Sequence, residues 1–363
     1  MDYAAPRWLP GGHLQTIWPA LAARRADGDP PAYRRERWTA PDGDFVDVDF
    51  LGVPGRAPGA PGAPRPLLVL FHGLEGSSRS HYAEAFAGVA RARGWDYAVP
   101  HFRGCSGEIN RAPRAYHSGD HEEIDWILQR MAQRQRPAGG TEGPRAPLMV
   151  AGVSLGGNAL LRWAGERGAA AARSADAVAA VCSPLDLAAG GLAIGRGFNR
   201  QVYTRMFLRT MVPKALAKWQ QHPGLFDRDI LRAARDLHAF DDVFTAPLHG
   251  FRDADDYWRR ASAKPVLPAI RIPALAVNAL NDPFVPAASL PRPGEVGAHV
   301  TLWQPPQGGH VGFAFGRLPG HVRAMPEAVA DWLARQAGAA PAVPAGTPTY
   351  AEAAAAVLRS PHG

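Results

Sequence analysis

The segment Pro147-Leu-Met-Val-Ala-Gly-Val-Ser-Leu-Gly-Gly-Asn158 constrains this chain most, because it sets Ser154 inside Gly-x-Ser-x-Gly between an apolar run and a helical pattern. Leu148-Met-Val-Ala-Gly-Val153 is short, apolar and preceded by the loop-forming stretch 136–144, so it reads as a strand buried on both faces. The helical pattern of Asn158-Ala-Leu-Leu-Arg-Trp-Ala-Gly-Glu166 begins almost at once, leaving no room for an ordinary loop. Gly152 and Gly156 carry no side chains, so strand and helix can approach closely while the serine sits on a strained turn with its hydroxyl exposed. That is the context of a nucleophile elbow. An inert serine on a glycine-rich turn is the competing reading, since a chain with 39 glycines can produce the pattern by accident.

The rest of the chain supplies a sheet for such a turn. Segments 33–38 and 44–50, separated by the turn signal Pro41-Asp-Gly43, predict an antiparallel hairpin at a sheet edge. Strands are predicted at 67–71, 96–100, 148–153, 177–182, 274–278 and 300–304, the first and third of them buried, with helices at 81–93, 119–135 and 326–336. This alternation predicts a mostly parallel sheet of about eight strands with helices on both faces, whose ligands sit beyond the carboxyl ends of the strands. Helical patterns between 187 and 268, including 205–211 and 228–238, interrupt the rhythm and read as a cap inserted between two core strands. The expected organisation is a core at 1–186, a helical cap at 187–268, a second core part at 269–337 and an Ala/Pro-rich tail at 338–363, expected to be partly disordered. The stretch 54–66 reads as a low-complexity loop, and no internal repeat is visible.

Composition narrows the partners. Only Lys214, Lys218 and Lys264 are lysines among 40 basic residues, and the arginines are scattered, so the formal charge of +7 reflects a bias of the whole chain and not a nucleic-acid surface. Cys105 and Cys182 are too few for a disulfide framework, have no metal-ligand spacing and read as reduced packing residues. The first ten residues do not read as a secretory signal, and no run approaches the roughly 18 apolar residues of a membrane span. A cytoplasmic location is the expectation.

A serine hydroxyl needs a base within hydrogen-bond reach and an acid that fixes the tautomer of that base. On this architecture the chain order is serine, acid, histidine. Asp282, in Ala279-Leu-Asn-Asp-Pro-Phe284, follows the strand at 274–278, and His310, in Gln307-Gly-Gly-His-Val-Gly-Phe313, follows the last strand. Asp282 is favoured over Asp186, the competing acid, because the Asn281-Asp-Pro283 turn suits a loop aimed at the site. The oxyanion of acyl transfer would be held by the backbone amides of Leu155 and Leu74, the latter in Phe71-His-Gly-Leu-Glu-Gly76. His72 precedes the serine and reads as a residue that shapes this loop. Arg103 is a candidate for binding a substrate carboxylate or phosphate, against the competing reading that it ties loops together; Cys105 and Ser106 lack elbow spacing. Phe313, Phe315 and the cap aromatics are candidates for an acyl pocket, against the alternative that they form cores.

With those residues in view, the chain resembles the YheT-like family of α/β-hydrolases, including eukaryotic relatives that act on acyl lipids. The likeness runs through Gly11-Gly-His-Leu-Gln-Thr-Ile-Trp-Pro19, Pro41-Asp-Gly-Asp44, His72-Gly-Leu-Glu-Gly-Ser-Ser-Arg-Ser-His-Tyr82, Phe102-Arg-Gly-Cys-Ser-Gly-Glu108 and Tyr116-His-Ser-Gly119. It continues in Gly152-Val-Ser-Leu-Gly-Gly-Asn158, Phe240-Asp-Asp-Val-Phe-Thr-Ala-Pro-Leu-His-Gly-Phe251, Asn278-Ala-Leu-Asn-Asp-Pro-Phe284 and Gly308-Gly-His-Val-Gly-Phe313. The stretch 54–66 and the tail match nothing in it. The resemblance implies the α/β-hydrolase fold and places Ser154, Asp282 and His310 on the family's nucleophile, acid and base.

The expectation is a cofactor-free, metal-free serine esterase acting on a small-molecule or lipid ester. The same triad would serve a thioesterase, a lipid acyl hydrolase or an acyltransferase. The reading from another class is a non-catalytic binding module on a hydrolase scaffold, which would need neither the triad nor the elbow glycines.

Overall fold

Eight strands form one sheet: β1 (Arg34–Thr39), β2 (Phe45–Leu51), β3 (Leu67–Phe71), β4 (Asp96–Pro100), β5 (Leu148–Val153), β6 (Ala177–Val181), β7 (Ala274–Val277) and β8 (Val300–Trp303). Every side chain of β3, β5 and β6 is buried, which follows from sequences with no polar face to offer water. The computed structural model describes residues 3–25, 29–52, 65–136 and 145–339. Most of the 54–66 loop, most of the 136–144 stretch and nearly all of the tail lie outside the described residues. The strand order is β1-β2-β4-β3-β5-β6-β7-β8. The pairs β1·β2 and β2·β4 are antiparallel and the others parallel, so the predicted hairpin does stand at an edge.

The pleat divides the core into two layers. On one face Leu68, Leu70, Met149 and Ala151 pack against α2 (His81–Ala92) through Phe86 and against the last helix (Ala324–Gln336) through Val329 and Leu333. On the other face Leu67, Val69, Leu148 and Val150 meet α3 (His121–Arg134) through Ile124 and Leu128, and α4 (Leu155–Arg167) through Leu160 and Leu161. Successive residues of one strand thus feed opposite layers, as the period of two requires.

Between β6 and β7 the chain is largely helical. Helix α5 (Leu187–Ile194) is followed by a continuous run made of Gly197–Asn199, a π turn at Arg200–Thr204 and α6 (Arg205–Gln221); α7 (Ala254–Ala261) comes near the end of the insertion. Phe226, Leu231, Phe240 and Phe244 build a small core of their own beneath α6. One element has no counterpart in the predicted set: the N-terminal stretch Gly12–Leu21 is a helix, α1, despite Pro19 inside it.

Candidate active site

Parallel register brings the carboxyl ends of the central strands to one edge: Phe71 pairs with Gly152, Val153 with Val181, Val181 with Val277 and Val277 with Trp303. The loops leaving those ends carry the chemistry. Ser154 joins β5 to α4 with no intervening residue and takes φ 53°, ψ −119°, a backbone state costly for any residue with a side chain. The turn is held because α4 presses onto the neighbouring strands. A Cβ at position 156 would lie 2.5 Å from the carbonyl oxygens of Phe71 and His72, and one at position 157 would lie 1.9 Å from Ser183 Oγ. Gly157 was not singled out in the sequence, yet the space there is tighter.

His310 lies on the loop after β8, with Nε2 3.1 Å from Ser154 Oγ and Nδ1 2.8 Å from Asp282 Oδ2. Asp282 Oδ1 accepts the amides of Phe284 (2.7 Å) and Val285 (3.3 Å), so both carboxylate oxygens are fixed and the buried acid faces the imidazole. This geometry puts Nδ1–H toward the acid and leaves Nε2 as the acceptor for the serine proton. Asp186 is elsewhere. Its carboxylate accepts the amide of Ala189 (3.0 Å) and caps the N-terminus of α5.

Helix α1 contributes a clamp that sequence reasoning missed. Gln15, 1 % exposed, accepts through Oε1 both the Gly308 amide and the Asn281 side-chain amide, each at 2.9 Å, and donates to Leu9 O. Asn281 Oδ1 in turn accepts the Gly309 amide (3.0 Å), and Thr16 Oγ1 accepts the His310 amide (2.8 Å). Two buried side chains of α1 thereby fix the Asp282 turn and the His310 loop to each other. Gln15→Leu, which keeps the volume but leaves the Gly308 amide and the Asn281 amide without that acceptor, is expected to lower kcat at least tenfold with KM nearly unchanged. Steady-state kinetics, with Gln15→Glu as a variant that retains the acceptor, checks this; an unchanged kcat would contradict it.

The loop after β3 lies against the serine, since a Cβ at position 73 would be 3.2 Å from Ser154 Cβ. Tyr82 and Tyr116 hydroxyls accept the amides of Gly73 (2.8 Å) and Glu75 (3.0 Å), which anchors the residues on either side of Leu74. Leu155 is the first residue of α4, where backbone N–H groups have no intrahelical acceptor and the helix dipole favours negative charge. Leu74 and Leu155 both line the cavity that holds Ser154 and His310. His72 shapes the loop, as its position before the serine implies: fully buried, it bonds to Gly73 O (2.8 Å) and accepts the Phe102 amide (3.1 Å), and burial pushes its pKa down to about 3.

Two candidate substrate contacts are corrected. Arg103 borders the cavity, but its Nε and Nη1 are committed to Glu123 (2.5 Å), Asp42 (2.7 Å) and Asp44 (3.0 Å), so three carboxylates already hold the guanidinium and it ties three segments together. Phe313 is fully buried below the loop, with its ring 5.1 Å from Tyr3 and 5.7 Å from Trp303. Its positive φ of 43° turns the side chain into the core. Phe315 packs on His321 instead (5.7 Å). The aromatic wall comes from Phe284, whose ring lies 4.2 Å from that of His310, and from insertion residues Phe207, Phe240, Phe244 and Trp258. With Leu74, Leu155, Leu187, Ile194 and Met211 they enclose a cavity of about 160 Å³.

Among the described residues, the donor atoms of Cys182, Asp282 and His310 lie within 4.8 Å of one another. Each has a protein partner already: Asp282 and His310 bind each other, and Cys182 Sγ accepts the Val311 amide (3.2 Å) while burial holds the thiol well above its usual pKa. Asn158, fully buried, is a further tie absent from the sequence reading. Its side chain donates to Ser118 O and Ala261 O (each 2.9 Å) and accepts the Ala263 amide (2.9 Å), fastening the start of α4 to the end of the insertion.

Known proteins share this plan. The profile of the alpha/beta hydrolase fold family matches residues 66–316. The chain is 38% identical over 334 residues to the Escherichia coli (strain K12) protein named "Putative esterase YheT", covering 92% of this chain and 93% of that one. It is 28% identical to Phospholipase ABHD3 of Mus musculus over 80% of this chain and 68% of the relative. Among solved structures, a puromycin-hydrolyzing peptidase of Mycobacterium tuberculosis superposes with a TM-score of 0.52 at 18% identity, over 86% of this chain and 40% of the other, a likeness of fold alone. The chain belongs to the α/β-hydrolase fold family, in its YheT-like branch.

Proposed function

We propose that the protein is a serine hydrolase that cleaves carboxylic esters through an acyl-enzyme. The observation that carries this reading is the hydrogen-bonded series Ser154 Oγ, His310 and Asp282, with both imidazole nitrogens engaged, opening into an apolar cavity. Ser154 Oγ attacks the ester carbonyl carbon as its proton passes to His310 Nε2, and Asp282 stabilises the resulting imidazolium. The amides of Leu74 and Leu155 hold the tetrahedral oxyanion. The intermediate collapses with return of the proton to the leaving alcohol, and water repeats the sequence on the acyl-enzyme. Every step uses groups of this chain.

We assign the insertion 187–268 the part of a cap that walls the acyl group. The predominantly apolar lining and the relation to Phospholipase ABHD3 favour an ester with an apolar acyl chain over a small polar ester. A binding module would have no need for a serine held at φ 53° within reach of an oriented imidazole. The test is hydrolysis of p-nitrophenyl esters of increasing acyl length, with free acid quantified in the presence of an added alcohol. The expected result is kcat/KM that rises with the first methylenes, with the acyl group recovered as acid; recovery mainly as a new ester would favour the acyltransferase, turnover of thioesters alone the thioesterase. Absence of turnover on every ester and thioester would overturn the hydrolase reading.

A further inference from the structure

The helical run from Gly197 onward has an outer face unlike the rest of the surface. Phe198, Val202 and Met206 recur at every fourth position and are 52 %, 36 % and 52 % exposed, and Leu192, at 48 %, precedes them on α5. A series of large apolar side chains on one solvent-facing stripe marks an interaction surface. Arg196, Arg200, Arg205 and Arg209 are exposed alongside it, and the chain between Asp186 and Asp227 holds no acidic residue. Among the described residues none of those four guanidiniums lies within ion-pair distance of a carboxylate, whereas at the sheet edge Arg35 and Arg37 are paired to Asp49 and Asp47.

The same helices face the site with their other side. Phe207, Met211 and Lys214 of α6 line the cavity. Asn199 Nδ2 donates to Pro283 O (2.6 Å), one residue beyond Asp282, and the ring of Phe198 stands 4.6 Å from that of His13 on α1. Leu14, next on α1, is 50 % exposed and extends the apolar patch. The stripe is therefore the outside of the wall whose inside is the cavity.

We propose that this face seats the protein on an anionic lipid surface, with the apolar stripe at the headgroup boundary and the four arginines on the lipid anions. Exposed apolar residues on one side of the helical run, with Arg205 and Arg209 beside them and Arg196 and Arg200 exposed near its start, match an interfacial helix, and the stretch 187–226 contains no carboxylate to repel a negative surface. A second copy of the same face would set arginine against arginine. The proposal goes beyond the esterase reading, since binding needs no turnover.

Cosedimentation of the full-length chain with extruded vesicles of dialkyl-ether phosphatidylcholine, with and without an equal share of dialkyl-ether phosphatidylglycerol, tests it. These lipids carry no ester, so failure here is distinct from failure of the hydrolase assignment. Partition onto phosphatidylglycerol vesicles is expected, falling at least tenfold at high salt, with little onto phosphatidylcholine alone. Arg205→Gln with Arg209→Gln is expected to weaken it by about twenty-five-fold, taking roughly fivefold per arginine near an anionic surface. Phe198→Ser with Met206→Ser is expected to weaken it comparably, with thermal melting unchanged in both variants. Partition that is absent, insensitive to salt or equal in the variants would overturn the proposal. So would a concentration-dependent dimer that Phe198→Ser with Met206→Ser dissociates, which would assign the face to self-association.

Discussion

Replacing Ser154 by alanine is expected to lower ester turnover by about 10⁴- to 10⁶-fold while the protein stays folded. The loss follows from removing the atom 3.1 Å from His310 Nε2, after which no other described hydroxyl is placed to form the acyl-enzyme. The fold should tolerate the change, because the strained φ of 53° is imposed by the packing of α4 on β3, β5 and β6, and alanine at that φ meets the same restriction as serine. His310→Ala is expected to cost nearly as much. The double variant should be no slower than the slower single one, since nucleophile and base act as a unit. Kinetics on a soluble ester measures all three, and retention of more than a hundredth of the activity in Ser154→Ala would contradict the proposed roles.

The second large effect concerns the acid. Asp282→Asn is expected to lower kcat by about 10⁴-fold with little change in folding, because a neutral amide can no longer hold Nδ1–H or stabilise the imidazolium. The two backbone amides that donate to Asp282 Oδ1 can still be met by an asparagine carbonyl, which leaves Oδ2 replaced by an NH₂ facing Nδ1. Asp186→Ala is the matched control. That carboxylate caps α5, so its loss should cost about 1 kcal/mol of stability and leave kcat within a few-fold. Measuring kcat and the melting temperature of both variants separates the assignments; a large loss of kcat in Asp186→Ala with a small one in Asp282→Asn would reverse them.

The parts of this architecture legible in the sequence were those with a local physical signature. Leu67–Phe71 and Leu148–Val153 announced buried strands because a run apolar on both faces has nowhere else to go. Ser154, Asp282 and His310 each follow a strand of the parallel sheet on a turn rich in glycine or proline, so their convergence could be anticipated from topology. What stayed hidden depends on partners distant in the chain. Gln15 accepts the Gly308 amide across 293 positions and the Asn281 side-chain amide across 266, bonds that leave no periodic trace, and Pro19 disguised its helix. Phe313, expected at an acyl pocket, is buried in the core, and the ring beside His310 is that of Phe284, which carried no expectation because only the folded loops bring it there. Arg103 looked available for an anion until Asp42, Asp44 and Glu123 were brought around it.

Covalent labelling tests the assignment of Ser154 as the nucleophile without knowledge of the substrate. A fluorophosphonate probe, incubated with the protein and followed by peptide mass spectrometry, is expected to place one adduct on Ser154, to leave Ser154→Ala unlabelled and to react far more slowly with His310→Ala. Labelling that persists in Ser154→Ala, or an adduct on any other residue of the native chain, would contradict the assignment.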